Sequence, residues 1–103
     1  MRVRVSKQAR ADVLAAVTWW RRNLGEAQPI ELVAELKRAR AQLAATPWAG
    51  VSVSKDGRGT RRRLALLRAR YFLFYDVDEA KQEVWVLRLW HMSRGQAPKL
   101  ARR

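Results

Sequence analysis

The chain lacks several residue types on which common functional sites depend. Its 103 residues include no cysteine, which excludes disulfide bonds, thiolate zinc sites and cysteine nucleophiles. It has one histidine, His91, and its carboxylates are not clustered, so we expect neither a catalytic metal centre nor a cofactor. No apolar run approaches the length of a membrane span, and nothing near Met1 resembles a signal peptide. We therefore expect a cytoplasmic protein without a membrane partner.

Acidic residues are also scarce. Nine Asp and Glu stand against 22 Lys and Arg, which leaves a formal net charge of +13. Because so much charge of one sign destabilises a compact chain by self-repulsion, a polyanionic partner is predicted. Arginine outnumbers lysine 17 to 5, which favours bidentate contacts with phosphate or carboxylate groups. A GC-rich genome would raise the arginine content as well, so the composition does not decide between these interpretations.

The apolar content predicts a single globular domain over residues 1–103, since 49% of the residues are apolar and five are tryptophan. Alternating basic and apolar residues predict a short strand over residues 1–5. Helical spacing predicts a first helix between an N-cap at Ser6 and a C-cap at Gly25. A second helix is predicted from Pro29 to Thr46, which precedes Pro47. The short connection between the two predicts an antiparallel helical hairpin.

Three apolar, aromatic-rich runs in the last third of the chain predict strands at residues 61–68, 71–77 and 84–91. Residues 48–60 contain three glycines and are predicted to form a loop or a weak edge strand, and residues 95–103 a loosely ordered basic tail. The predicted order is β-α-α-β-β-β in an α+β domain, with the first strand and the helical hairpin packed on an antiparallel sheet. Four aromatic residues are assigned to the core between sheet and helices: Trp20, Phe72, Phe74 and Trp85.

Several motifs follow one another along these elements. Trp19 and Trp20 form an aromatic pair in the first helix, and a Leu-x-x-x-Pro-x-x-Gly stretch spans residues 43–50. An arginine-containing strand is followed by Tyr-x-x-x-Tyr-x-Val at residues 71–77 and by Val-Leu-Arg-Leu-Trp-His-x-x-Arg at residues 86–94. From about residue 3 to residue 94 the chain resembles the RelE/ParE toxins of bacterial type II toxin–antitoxin systems. The resemblance implies a toxin neutralised by a cognate acidic antitoxin, in a heterotetramer or a larger complex.

The resemblance implies two alternative activities. RelE-like toxins are ribosome-dependent endoribonucleases that cut mRNA and inhibit translation, whereas ParE-like toxins inhibit DNA gyrase and block replication without catalytic chemistry of their own. RNA cleavage needs a base, an acid and cations near the phosphate. The side chains that could serve such a nuclease are His91, Arg94, Lys55, Arg58 and Arg61.

Two positions favour the ParE-like branch. RelE-like nucleases generally carry an arginine just after the first tyrosine of the central strand and a tyrosine near the C-terminus. Here Phe72 follows Tyr71, and no tyrosine follows Arg94. A gyrase inhibitor with no assigned catalytic residue is therefore our preferred interpretation, and the mRNA endoribonuclease remains the alternative.

Residues 55–70 hold seven cations and one acid, and form either a surface that faces the target or a solvated edge that discourages aggregation. The predicted target-binding residues are Arg58, Arg61, Arg62, Arg63, His91 and Arg94. Trp19 and Trp48 fall off the apolar stripes, so we expect them to be exposed and to bind the antitoxin. Arg88 lies in an apolar strand, where it contacts the antitoxin or pairs with a carboxylate such as Asp76. The groove between helical hairpin and sheet is expected to accept an amphipathic helix.

Overall fold

The chain folds as a strand, a helical hairpin and a series of strands. The computed structural model describes residues 1–25, 28–54 and 59–100, with the backbone alone for residues 28–30. The elements are β1 (Arg2–Val5), α1 (Lys7–Leu24), α2 (Gln28–Ala45), β2 (Val51–Ser52), β3 (Arg61–Leu66), β4 (Tyr71–Asp78) and β5 (Glu83–His91). The predicted α+β order is confirmed, and β2 is a short edge strand within the segment predicted as a loop or weak strand.

The ends of α1 form at the predicted caps. The Ser6 side chain accepts a hydrogen bond from the Ala9 N–H at 3.1 Å, which satisfies a backbone donor of the first turn. Gly25 has a φ of 93°, in the left-handed region that glycine adopts without a steric penalty. Arg21 and Arg22 lie in the last turn, where positive charge interacts favourably with the helix dipole.

The five strands form one mixed sheet in the order β1-β5-β4-β3-β2. The neighbours from β2 to β5 are antiparallel, whereas β1 runs parallel to β5. Tyr75 is opposite Val86 while Phe74 is opposite Arg88, so Leu87 is an extra residue that forms a bulge in β5. β1 covers the edge of β5 only as far as Val86, and the rest of that edge is left for α1.

One face of the sheet packs against the helices and forms the core. Alternate residues of β4, beginning at Tyr71, contribute to this core together with residues of β5 and both helices. The largest fully buried side chains are Tyr75, Leu32, Leu43 and Val84. The Tyr75 hydroxyl accepts a hydrogen bond from the Gly50 N–H at 2.8 Å, and burial raises the pKa of this tyrosine. A Cβ at Gly50 would lie 2.6 Å from the same hydroxyl, so glycine permits this close approach.

The other face of the sheet carries the remaining aromatic residues. The prediction that Phe72, Phe74 and Trp85 lie between the sheet and the helices is wrong, because side chains alternate along a strand and their neighbours occupy the helix side. Only Trp20, on α1, packs against the core as predicted. Trp85 lies instead under the guanidinium of Arg4, 5.3 Å from the ring centroid.

The segment after β5 folds back over this second face. The Trp90 indole donates a hydrogen bond to the Gln96 carbonyl at 2.8 Å, and Arg61 donates one to the Leu100 carbonyl at 2.8 Å. Pro98, between them, is buried. These contacts join residues 95–100 to the second face, where the aromatic residues form an apolar surface that the segment partly covers. Residues 101–103 lie outside the described part of the chain.

Candidate functional site

A hollow of about 420 Å³ lies between α1 and the C-terminal end of β5. Its lining includes Asp12, Trp19, Tyr71, His91, Ser93 and Arg94. The fold therefore brings together His91 and Arg94, predicted to bind the target, with Trp19, predicted to bind the antitoxin. Trp19 is 53% exposed, in agreement with the exposure expected from the sequence.

His91 is held by an aromatic contact of its ring and by hydrogen bonds at one ring nitrogen. Its ring meets that of Tyr71 edge to face, with the centroids 5.0 Å apart. The Ser93 N–H donates to His91 Nδ1 at 3.1 Å, and the Ser93 hydroxyl lies 2.6 Å from the same nitrogen. Because Nδ1 accepts a backbone hydrogen bond, the proton of the neutral ring resides on Nε2.

Asp12 connects α1 to the open edge of β5. Its carboxylate accepts hydrogen bonds from Arg88 Nε at 2.7 Å, from Arg88 Nη2 at 3.1 Å and from the Leu89 N–H at 3.0 Å. Arg88 thus pairs with a carboxylate, which is one of the two interpretations of the sequence, although the partner is Asp12 and not Asp76, the example given there. Asp76 lies opposite Trp85 and accepts from the Thr60 hydroxyl, whereas α1 passes the part of β5 that β1 leaves uncovered. The Arg88 side chain is only 14% exposed.

The three arginines at the start of β3 do not form one surface. Arg62 lies opposite Tyr75, on the helix side, where it donates to the Gly50 carbonyl at 2.8 Å and covers the ring of Trp48 at 5.3 Å. Arg61 and Arg63 point to the second face, because neighbouring residues of a strand alternate. Trp48 is 40% exposed, as expected. Lys55 and Arg58, which the sequence also suggested for this surface, lie outside the described residues.

On the second face, guanidinium groups lie over aromatic rings. Phe72 and Trp90 are direct partners on β4 and β5. Arg63 lies 4.4 Å from the centroid of Phe72, while Arg88 and Arg94 lie 5.2 Å and 4.1 Å from the Trp90 ring. We call this surface the arginine–aromatic face, and its members are Arg63, Phe72, Phe74, Arg88, Trp90 and Arg94. The rings of this face were not among the predicted site residues, although the period-2 alternation of β4 and β5 is a sequence signal that identifies them.

A groove of about 660 Å³ runs along β1 between the sheet and the helical hairpin. Its apolar lining includes Val5, Val13, Val33 and Leu36, and its basic lining comprises Arg2, Arg4, Arg10, Lys37 and Arg40. Of the residues predicted to bind the antitoxin, Trp19 lines the hollow, Trp48 lies under Arg62, and Arg88 is paired with Asp12. A groove between the hairpin and the sheet was predicted from the sequence, but its basic lining was not.

Residues 3–95 match the family described as the ParE toxin of the type II toxin-antitoxin system, parDE. The chain belongs to the ParE toxin family. The resemblance inferred from the sequence is confirmed: the chain is a ParE-like type II toxin, and an antitoxin is its partner. No curated protein matches the chain in sequence.

Among solved structures, the ParE-like toxin resembles a chain of the chromosomal ParDE TA system from P. aeruginosa. The two superpose with a TM-score of 0.72 at 21% sequence identity, covering 90% of this chain and 97% of that chain. At this identity the similarity supports the fold, which agrees with the element order described above.

The hollow of this ParE-like toxin offers an imidazole, a phenol, an indole and a guanidinium around an engaged carboxylate. Among residues 1–25, 28–54 and 59–100, no three His, Asp or Glu side chains lie together in a way that could hold a metal ion. In the same residues, neither helix is both long and apolar enough to cross a membrane.

Proposed function

We propose that this ParE-like toxin inhibits DNA gyrase in the cytoplasm and thereby blocks replication. The observation that supports binding over RNA cleavage is the engagement of Asp12. Both of its oxygens accept hydrogen bonds from Arg88 or from the backbone, so the one carboxylate of the hollow already has its partners. RNA cleavage through the 2′-hydroxyl requires both a base and an acid, and His91 can fill only one of these roles at a time.

The position of Phe72 supports the same proposal. The nuclease resemblance would place an arginine here, but the phenyl ring lies on the second face beneath Arg63 and carries no charge. Arg94 and Arg63 can hold an anion, yet stabilising charge alone does not transfer the protons that cleavage requires. A surface of this kind suits a toxin that binds its target, which is the activity proposed for the hollow and its surroundings.

Two assays on the isolated protein test this proposal. We expect loss of supercoiling by purified gyrase and no cleavage of mRNA on programmed ribosomes. Normal supercoiling at excess toxin, together with mRNA cuts at codon positions, would overturn the proposal in favour of the endoribonuclease. His91→Ala sharpens the choice, because removal of a general acid or base lowers a nuclease rate by roughly 10²–10⁴-fold.

The lining of the groove along β1 supports an acidic antitoxin. Five cationic side chains surround an apolar floor, and the α2 residue Val33 is 36% exposed there. An acidic amphipathic helix would bury its apolar side chains against this floor and place its carboxylates near the cations. We therefore propose a cognate acidic antitoxin as occupant, and two such toxin–antitoxin pairs would form a heterotetramer, which a mass measurement on the complex tests.

A pair of matched variants tests the groove. Val33→Glu adds a like charge where the acidic segment would lie, so antitoxin affinity should fall at least tenfold, corresponding to about 1.4 kcal/mol. Leu14→Glu makes the same kind of change on α1 at a side chain that is 68% exposed and is not among the groove residues. Equal affinities for the two variants in a titration with the antitoxin would contradict the assignment of the groove.

A further inference from the structure

The rings of the arginine–aromatic face lie on the side of the sheet opposite the helical core, and at its edge Arg88 and Arg94 reach α1. Neither Arg63 nor Arg94 lines the β1 groove, so an antitoxin bound there would leave both arginines accessible. Two of its arginines, Arg63 and Arg94, are exposed, and each lies over a ring. Those rings belong to Phe72 and Trp90, which are direct cross-strand partners. Because such partners have their Cβ atoms about 5 Å apart, the two guanidinium groups lie over adjoining positions of the sheet.

Charged side chains are arranged differently at the two ends of this face of the sheet. The residues at the other end, past the midpoint of β4, include Asp76 and Asp78, and β5 begins there with Glu83. Glu83 pairs with Arg4 at 3.0 Å, and Asp78 accepts a hydrogen bond from the Lys81 N–H. At that end the acidic side chains are bonded to partners and lie beside the cations Arg4 and Arg61, whereas the half with Arg63 and Arg94 presents exposed cations.

We propose that the cationic half of the arginine–aromatic face binds the phosphate backbone of DNA directly. Arginine is weakly hydrated and can donate two parallel hydrogen bonds to one phosphate. The rings beneath Arg63 and Arg94 restrict their positions before binding, so fewer side-chain rotamers are lost on contact. The relevance of this DNA binding to gyrase rests on the proposed function, in which the toxin would bind the DNA of the gyrase–DNA complex as well as the enzyme.

The rings themselves are not platforms for bases. Trp90 is only 9% exposed, and its indole N–H is already bonded to the Gln96 carbonyl. Stacking on bases needs an open ring face, so the contacts here are made by guanidinium groups to phosphates. Such contacts carry no sequence information, and binding should be independent of DNA sequence and strongly dependent on salt.

The test measures binding of a short labelled duplex by fluorescence anisotropy over a series of salt concentrations. Log K falls linearly with log salt, and each lost phosphate contact reduces the magnitude of this negative slope by about 0.9, so R63Q/R94Q should reduce it by about 2. At about 0.1 M salt the same relation predicts a loss of roughly tenfold in affinity for each arginine. R22Q/R38Q removes the same charge from exposed helix positions and should leave the slope nearly unchanged.

Equal losses for the two double variants would overturn the inference, because net charge alone would then explain the binding. Full duplex binding by R63Q/R94Q would overturn it too, and if that variant instead lost affinity for the acidic antitoxin, the face would be assigned to a protein partner. Phe72→Leu keeps both cations and removes the ring under Arg63, so a smaller, measurable loss is expected. Circular dichroism and the thermal midpoint establish that each variant is folded.

A gyrase assay with the same variants separates this inference from the proposed function. A wild-type toxin that leaves supercoiling intact but binds DNA through Arg63 and Arg94 would remove the gyrase proposal and keep the DNA-binding face. If the toxin inhibits supercoiling but R63Q/R94Q binds the duplex as tightly as the wild type, the gyrase proposal is kept and the DNA-binding face is removed. When both proposals hold, R63Q/R94Q inhibits supercoiling less strongly than R22Q/R38Q.

Discussion

The two faces of the sheet are built from alternate residues of the same strands, yet they serve different purposes. The helix side joins Tyr71, Leu73 and Tyr75 to the apolar residues of α1 and α2 in one core. The other side holds Phe72 beneath Arg63, Phe74 against Phe72, and Trp90 bonded to the segment that follows β5. A single step along β4 therefore separates a side chain that stabilises the fold from one that positions a charge.

Positively charged side chains are tolerated on the second face because their guanidinium groups pack on aromatic rings. A guanidinium over an aromatic face keeps its polar edges available while its flat surface covers apolar area. Arg63, Arg88 and Arg94 all lie within about 5 Å of a ring centroid. Within the core on the helix side, the Tyr75 hydroxyl is satisfied by a backbone N–H, and the guanidinium on that side, Arg62, covers the partly exposed ring of Trp48.

The largest effect is expected from the helix side. Leu43 is fully buried, so Leu43→Ala should lower the free energy of unfolding by about 2–5 kcal/mol through lost burial and a residual cavity. Leu67→Ala, at a side chain that is 74% exposed, should change it by less than about 0.5 kcal/mol. Urea unfolding measures both. A loss for Phe72→Ala as large as that for Leu43→Ala would remove the energetic difference between the faces.

The ion pair at the edge where the faces meet should come next. Asp12→Ala leaves the Arg88 guanidinium and the Leu89 N–H without their acceptor, which we expect to cost about 2–3 kcal/mol at this partly exposed site. Removing the stranded charge as well, in D12A/R88M, should recover part of that loss. A double-mutant cycle by urea unfolding checks this, and no recovery would mean that Asp12 acts chiefly on the backbone.

Tyr75→Phe should have a smaller effect that depends on alkaline pH. Loss of the hydroxyl leaves the Gly50 N–H without its acceptor, at a cost of about 1–2 kcal/mol. Burial raises the pKa of Tyr75, so its contribution is complete below the unfolded value of about 10 and is lost as the pH rises through the folded value. Unfolding measured across this range should show the two proteins converging at high pH, and a constant difference would contradict the assignment.

The smallest effect is expected at the acidic end of the second face. The hydrogen bond from Arg4 holds the pKa of Glu83 below its usual range, with burial acting against it and the Trp85 indole adding to it. The resulting stability is present above the unfolded pKa and is lost as the pH falls through the folded one. Arg4→Met should lower the thermal midpoint slightly near neutral pH, because Arg4 is 46% exposed, and hardly at all in acid. A difference that persists in acid would point to packing on Trp85.

Local chemistry made much of this fold predictable. Ser6 caps the start of α1 with its side chain, Gly25 ends the helix with a positive φ, and the aromatic-rich runs form strands. The candidate site was predicted less completely. His91 and Arg94 do meet, but their placement beside Trp19 and Tyr71 depends on the packing of α1 against β5, which spacing along the chain does not encode.

The sequence by itself determined the α+β order, the family and the excess of positive charge. Helix caps and the alternation of apolar residues in strands act over a few neighbouring residues, and composition does not depend on contacts at all. Only the tertiary structure decided which partner each charged side chain meets. β1 pairs with β5 only as far as Val86, so α1 lies along the rest of that edge. As a result Arg88 pairs with Asp12 of α1 and not with Asp76 of β4. The alternation of β3 divides Arg62 from Arg61 and Arg63, and the register of β4 on β5 assembles the arginine–aromatic face. These outcomes depend on contacts between residues distant in the chain, and it is the packing of whole elements that sets them.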